Sequence, residues 1–304
     1  MTWLYLLLIA HFLNAIVFMV AKYFVSGPIP NVRAYAFYES LGSASYLVAI
    51  PFVGIALLPI GDLAICIFAG FVFSIALVFL YNAIQRHDVS GVAPAVGAMT
   101  AIFTLIIGFL FLQSAFSRAD FWAFAFLVIG TFLASNMKVD SHDARTRIVK
   151  ELSSATAASF LLALFYVLIK LEYNKFGFIS PFLWTRVGML VGAGFIFIFM
   201  NKNNSIVDSF RNSHSSLRFG FIGIKMVAGV AFLLIAYSAY LGNVALVNAM
   251  QGLQYMFLIL ISGVLLWVSP KLVMEHYTKH QWIHKIFAII LIIAGLVLLG
   301  GGRH

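Results

Sequence analysis

The chain has 304 residues, of which 63% are hydrophobic and only 10% charged, with a formal net charge of +9. Soluble domains carry about 25% charged residues, so this chain cannot cover a water-facing surface, and the missing solvent is lipid. The positive balance is read as membrane topology and affinity for anionic headgroups; no basic stripe with interleaved aromatics points to nucleic acid.

A bilayer core takes about 20 mostly apolar residues per helix. By that ruler the chain predicts ten transmembrane helices, near 3–24, 34–58, 63–84, 91–112, 121–137, 152–172, 182–200, 220–241, 244–267 and 282–300. The first run opens Met1-Thr2-Trp3-Leu4, without a basic leader or a small-residue cleavage site, and is expected to be a retained helix. Breakers sit between runs: Gly27-Pro28-Ile29-Pro30, Ser180-Pro181 and Ser269-Pro270. Strands are excluded, because open sheet edges are not tolerated in lipid. Cys66 is the only cysteine, so no intramolecular disulfide and no cysteine-based metal site can form; it reads as a small core residue.

The polar stretch from Lys138 to Glu151 divides the chain into residues 1–137 and 151–304, five helices each, joined by 138–150. Thirteen Lys and Arg residues fall in the loops on one side and four on the other, with Arg186 and Lys225 inside helices. The positive-inside rule then places both termini outside, in a multi-pass protein of the plasma (inner) membrane.

The halves also echo each other. His11 to Lys22 aligns with Ser159 to Lys170, Tyr81 and Ala83 with Tyr237 and Ala239, Phe103 to Gly108 with Phe257 to Ser262, and Ile129-Gly130 with Ala294-Gly295. Five is an odd number, so the second half must enter the membrane upside down relative to the first. The predicted fold is therefore all-α, ten transmembrane helices as two inverted five-helix repeats, a recurrent transporter plan with the substrate near the midplane.

Phe79-Leu80-Tyr81-Asn82-Ala83-Ile84, a short polar turn, and Val89-Ser90-Gly91-Val92-Ala93-Pro94, with the counterpart Ala236 to Tyr240 and Asn243 to Gln254, resemble two tandem modules of the EamA-like branch of the drug/metabolite transporter superfamily. The resemblance spans essentially the whole chain. It implies a ten-helix carrier, many of which export amino acids or other metabolites. The chain departs from that pattern where Ala101 and Tyr255 stand near the places of a mid-helix proline. The small multidrug-resistance relatives use a carboxylate in their first helix, where this chain has Asn14, so their proton coupling does not transfer.

Polar side chains inside helices should face an interior or a wet cavity. Asn248, Gln251, Tyr255 and Ser262 share a stripe on the ninth helix; the equivalent stripe on the fourth is Pro94, Gly97, Ala101 and Gly108. The two are expected to face each other across a central cavity. His11, Asn14, Phe18 and Lys22 form a stripe on the first helix, matched by Ser159, Tyr166 and Lys170 on the sixth. Tyr81 with Asn82, and Tyr237 with Ser238, match across the repeat and suit a cavity border.

Glu39 and Arg186, the former beside Tyr38, are the charges that stand out. Each lies about five residues, roughly 8 Å, inside its predicted helix. An inverted repeat puts them on opposite sides of the midplane, which argues against their pairing directly. Two arrangements fit: ion pairs Lys22–Glu39 and Glu172–Arg186, or Glu39 and Arg186 lining two vestibules and touching charged substrate groups.

His276, His280 and His284 recur at one helical spacing beside Glu275, but lack a convincing further ligand and are read as an interfacial cluster, not a metal site. No phosphate-binding Gly-x4-Gly-Lys-Ser/Thr loop is present. The reading is a non-enzymatic, cofactor-free carrier, more a monomer than an obligate oligomer. Its partners are the bilayer and a small-molecule substrate, bound by Asn14, Tyr38, Glu39, Tyr81, Asn82, Pro94, Tyr166, Arg186, Tyr237, Asn248, Gln251 and Tyr255. The alternatives are an intramembrane enzyme acting on a lipid or lipid-linked substrate, and a non-transporting structural or receptor protein.

Overall fold

A computed structural model describes residues 2–26, 31–86, 89–112, 117–134, 144–201, 206–208, 215–268 and 279–301. Among them the elements are α1 Thr2–Ser26, α2 Val32–Gly42, a 3-10 stretch Ser43–Ala49, α3 Ile50–Val53, α4 Ile60–Arg86, α5 Val89–Phe111 and α6 Arg118–Ala134. They continue with α7 Ala144–Phe176, α8 Ile179–Met200, α9 Ser215–Leu241, α10 Val244–Ala249, α11 Gly252–Val268 and α12 Lys279–Gly301. Helices satisfy every interior backbone group within the segment, which is what hydrocarbon requires.

Eight stretches of these helices are long and apolar enough to cross a membrane: 2–21, 60–85, 92–111, 153–176, 179–200, 219–241, 244–264 and 283–300. This is a multi-pass, all-helical membrane architecture. Two of the ten predicted spans fall outside that set. One is α6, with only 17 residues. The other is the predicted run 34–58, which does not form one helix.

That run breaks for local reasons. Asn31 caps α2, its Oδ1 accepting from the N–H groups of Arg33 and Ala34 at 3.0 and 3.3 Å. Then Gly42, Ser43 and Ser45 supply poor helix formers, and Ser43 Oγ turns back to donate to the Ser40 carbonyl at 2.6 Å. Pro51 enters within the first turn of α3, and Gly54, at φ 72°, ends it in a conformation that favours glycine. The predicted ninth helix is also divided. Around Met250 and Gln251 the bonds shorten to i→i−3, as from Gln251 N–H to the Asn248 carbonyl at 3.1 Å. The sixth helix begins at Ala144, inside the stretch expected to be a loop.

Glycines set the closest helix contacts. On α8, Gly188 and Gly192 form a Gly-x3-Gly pair against α4; a Cβ on Gly188 would strike the Ile67 carbonyl, and one on Gly192 would strike Ser74. From the other side, a Cβ on Gly70 would strike the Thr185 carbonyl. Ser74 Oγ donates across the seam to the Met189 carbonyl at 3.2 Å. A second seam joins α6 and α12. There Gly130 abuts Ala288 and Ile292, while Gly295 abuts Ala123 and Leu127. Each glycine meets the residues seven and three positions before the other, a reciprocal contact between antiparallel helices.

Elsewhere α4 and α5 both pack on α7, while α9 and α11 both pack on α1. Lys170 of α7 closes the C-terminus of α9, its Nζ donating to the carbonyls of Ala239, Tyr240 and Gly242 at 2.9, 2.7 and 2.9 Å.

Gly188→Ala is expected to cost at least ~3 kcal/mol, because the new methyl meets backbone that cannot move aside. Gly194→Ala, where a Cβ meets nothing within 4 Å, should not lower stability and gains up to about 1 kcal/mol of helix propensity; thermal unfolding of both variants in detergent distinguishes them. Lys170→Met should lower stability by about 2–3 kcal/mol through the orphaned carbonyls, read in the same assay.

Candidate functional site

The helix α2 breaks after Gly42, and a space lies between α2, the 3-10 stretch, α8 and α9. The space is a cavity of about 370 Å³, within the range of small-molecule sites. Its walls are mostly apolar, with Tyr38, Tyr46, Phe73, Phe221 and Phe232 among them. One carboxylate, Glu39, and two cations, Lys225 and Arg186, also line it.

Glu39 and Lys225 form an ion pair, Nζ to Oε2 at 2.6 Å, with side chains 24% and 16% exposed. Tyr81 donates its hydroxyl to the same carboxylate oxygen. The ammonium also sits over the Tyr35 ring, 4.1 Å from its centroid. The ion pair is thus half-buried and held on three sides.

Arg186 is different. Its side chain is 1% exposed at the cavity wall. Nε donates to the Phe182 carbonyl at 3.3 Å, Nη1 to Met189 Sδ at 3.3 Å and Nη2 to Thr185 Oγ1 at 3.1 Å. The guanidinium carbon lies 4.3, 4.6 and 5.5 Å from the ring centroids of Phe182, Phe232 and Tyr46. No carboxylate among the described residues pairs with it. Tyr46 in turn donates its hydroxyl to the Gly229 carbonyl, tying the 3-10 stretch to α9 beside the guanidinium.

The expected ion pairs are therefore corrected. Glu39 takes Lys225, a residue of α9, as its cation; the Lys22 side chain lies outside the described residues. Glu172 pairs with Lys175 one turn away at 3.1 Å, and Lys175 also reaches Asp62 at 2.7 Å. Proximity along α7 decides this, and it leaves Arg186 to the aromatic rings. Glu39 and Arg186 make no direct contact and share one cavity instead of two vestibules.

Of the twelve side chains expected at the site, Tyr38, Glu39 and Arg186 line the cavity, and Tyr81 touches it through Glu39. The stripes of the fourth and ninth predicted helices do face each other, but in direct contact and away from this cavity. Asn248 Nδ2 donates to Thr104 Oγ1 at 2.9 Å, Tyr255 donates to the Ala93 carbonyl beside Pro94, and Gln251 and Tyr255 close over Gly97. Asn82 Nδ2 bonds Ser154 Oγ at 3.4 Å. Tyr166 is buried against Phe165, Asn14 is half-buried on α1, and His11 is buried beside Gln254. Tyr237 is 39% exposed and packs on Phe178, so it does not share the surroundings of Tyr81. Glu275 and His276 lie outside the described residues.

Lys225, Tyr46 and Phe232 are site residues that the sequence reading missed. A lysine within the apolar run 219–230 was the available signal for the first; nothing in the local pattern of Tyr46 or Phe232 sets them apart.

The end of the bundle away from Glu39 is stitched by polar contacts. Besides the Asp62–Lys175–Glu172 cluster, the Ala56 N–H donates to Ser180 Oγ at 2.9 Å and Trp184 Nε1 donates to the Ala56 carbonyl at 3.0 Å.

No protein-family model matches the chain. No curated protein matches it either. Among 27 similar chains of solved structure, one known only as a crystal structure of a protein aligns over 96% of this chain and 96% of its own length, with a TM-score of 0.62 at 13% identity. The likeness is one of fold along the whole chain.

Proposed function

We propose that the protein is a carrier of a small metabolite, working by alternating access between two inverted five-helix halves, with α6 and the broken α2–α3 segment completing ten spans. The observation that carries this reading is the cavity itself: an apolar chamber between membrane helices, with three ionisable side chains at its wall.

Two features support the inverted arrangement. The reciprocal contacts of Gly130 and Gly295 are those of a two-fold axis lying across the helices. The packing of α4 and α5 on α7 has its counterpart in α9 and α11 on α1. Under such an axis the α4–α8 seam corresponds to one between α9 and α2. The first is closed by glycines, whereas the second is bridged by side chains, Glu39 to Lys225, and holds the cavity. A molecule whose two halves follow one plan but differ at this seam is poised in one of two related states. The other state would part α4 from α8 and close α2 on α9, with bound substrate biasing the exchange through contacts that differ between the two. The resemblance to EamA-like carriers, which include exporters of amino acids, agrees with this reading and with a plasma-membrane location.

In sealed proteoliposomes offered a metabolite panel, a labelled compound is expected to cross unchanged, faster with unlabelled compound on the far side. Chemical conversion without passage would instead identify an intramembrane enzyme. Gly42→Trp places an indole in the cavity at a position where a Cβ meets nothing within 4 Å. It should cut the flux by at least about tenfold while leaving the unfolding temperature nearly unchanged.

A further inference from the structure

The charges at the cavity wall do not balance. Glu39 is neutralised by Lys225 and accepts a further hydrogen bond from Tyr81 on the same oxygen. Arg186 is left as a cation in a hydrocarbon-depth interior with no counter-ion among the described residues. Its partners are a carbonyl, a thioether, a hydroxyl and three aromatic rings. A guanidinium offers five N–H donors, and three hydrogen bonds are made, so donors remain for an incoming group.

An unpaired charge at this depth is costly, and such residues mark ligand paths. A resident ion pair could have been built here, as it was for Lys225. The guanidinium carbon sits over the rings of Tyr46, Phe182 and Phe232, and its N–H donors lie in its own plane, so a ligand is met at the donor edge. A planar carboxylate matches that edge with two parallel hydrogen bonds. The remaining wall is mostly aromatic and aliphatic, with Phe73, Met189 and Met226 contributing beside Ser43 and Ser45. An ammonium ligand would meet a carboxylate already neutralised by Lys225 and, in the same wall, a second cation, Arg186.

We infer that Arg186 is the anion-recognition residue of this cavity, and that the ligand class is an organic monocarboxylate with an apolar body. The inference rests on the cavity being the carrier's binding site, but it concerns binding and is tested without flux. Tyr46 stands between the 3-10 stretch and α9 against the guanidinium, so its ring must shift for the carboxylate to seat.

The test is equilibrium binding to the purified full chain in detergent, followed by calorimetry and thermal shift. The probes share one ring and differ in charge: phenylacetate, phenylacetamide and phenethylamine. A short-chain phosphatidylglycerol serves as the lipid-headgroup arm. Phenylacetate is expected to bind at least about tenfold more tightly than phenylacetamide, with no detectable binding of phenethylamine. Arg186→Gln should erase the preference for the acid, and Arg186→Lys should restore only part of it. Equal binding of acid and amide, tighter binding of the amine, or an Arg186-dependent site filled by the phosphatidylglycerol and not by phenylacetate overturns the proposal. Should Arg186→Gln fail to fold, the wild-type series decides alone. Carboxylate binding without flux in proteoliposomes would remove the carrier reading and leave the anion site standing; flux of amines or neutral compounds without acid binding would do the reverse.

Discussion

Two helix backbones touch where α4 meets α8, because Gly70, Gly188 and Gly192 present no side chains to hold them apart. In lipid, where burying apolar groups against each other gains little over burying them in acyl chains, such close approach is a main source of helix association. The seam fixes α8 against α4 within a turn of Arg186, and so sets where that guanidinium lies. It also commits one side of the molecule to contact. The opposite side, between α2 and α9, has no comparable glycine-on-backbone contact among the described residues, and the cavity lies there.

The polar groups follow from that geometry. Lys175 sits one turn from Glu172 and close to Asp62, and the three carry the end of the bundle where α4 begins and α7 finishes. Lys170, also on α7, is drawn to the carbonyls that end α9. Each of these cations satisfies groups that water would otherwise have to reach. Lys225 and Glu39 do the same for each other across α9 and α2. Arg186 is held by three aromatic rings and by neutral acceptors, with no carboxylate among the described residues beside it, and it lies in the cavity wall.

The broken helices have a related meaning. The run expected at 34–58 is apolar enough to read as a span, yet Gly42, Ser43, Ser45 and Pro51 weaken it in succession, and the chain bends where the cavity needs room. The division at Met250 and Gln251 has a different origin: Gly252 is pressed against Thr131 and Ile292, and the backbone tightens to let α10 and α11 meet different neighbours. Periodicity averages over such places, because one or two residues of low propensity are invisible inside twenty apolar ones.

Composition and run length were enough to read lipid as the solvent, helices as the elements and the approximate place of eight of the ten expected spans, since the cost of unsatisfied backbone in hydrocarbon leaves few alternatives. The facing of Asn248 and Tyr255 toward the helix of Pro94 and Gly97 was likewise legible, because a polar side chain on a membrane helix must turn inward. Which inward-facing groups meet in contact and which enclose space could not be read. Glu172 was expected to pair with Arg186, but depth and rotation put Lys175 nearer. Asn248 was expected at a cavity, and close packing removed it from one. Those outcomes depend on distances of a few ångströms between segments far apart in the chain, set by glycine contacts and helix breaks acting together, and one-dimensional spacing carries no record of them.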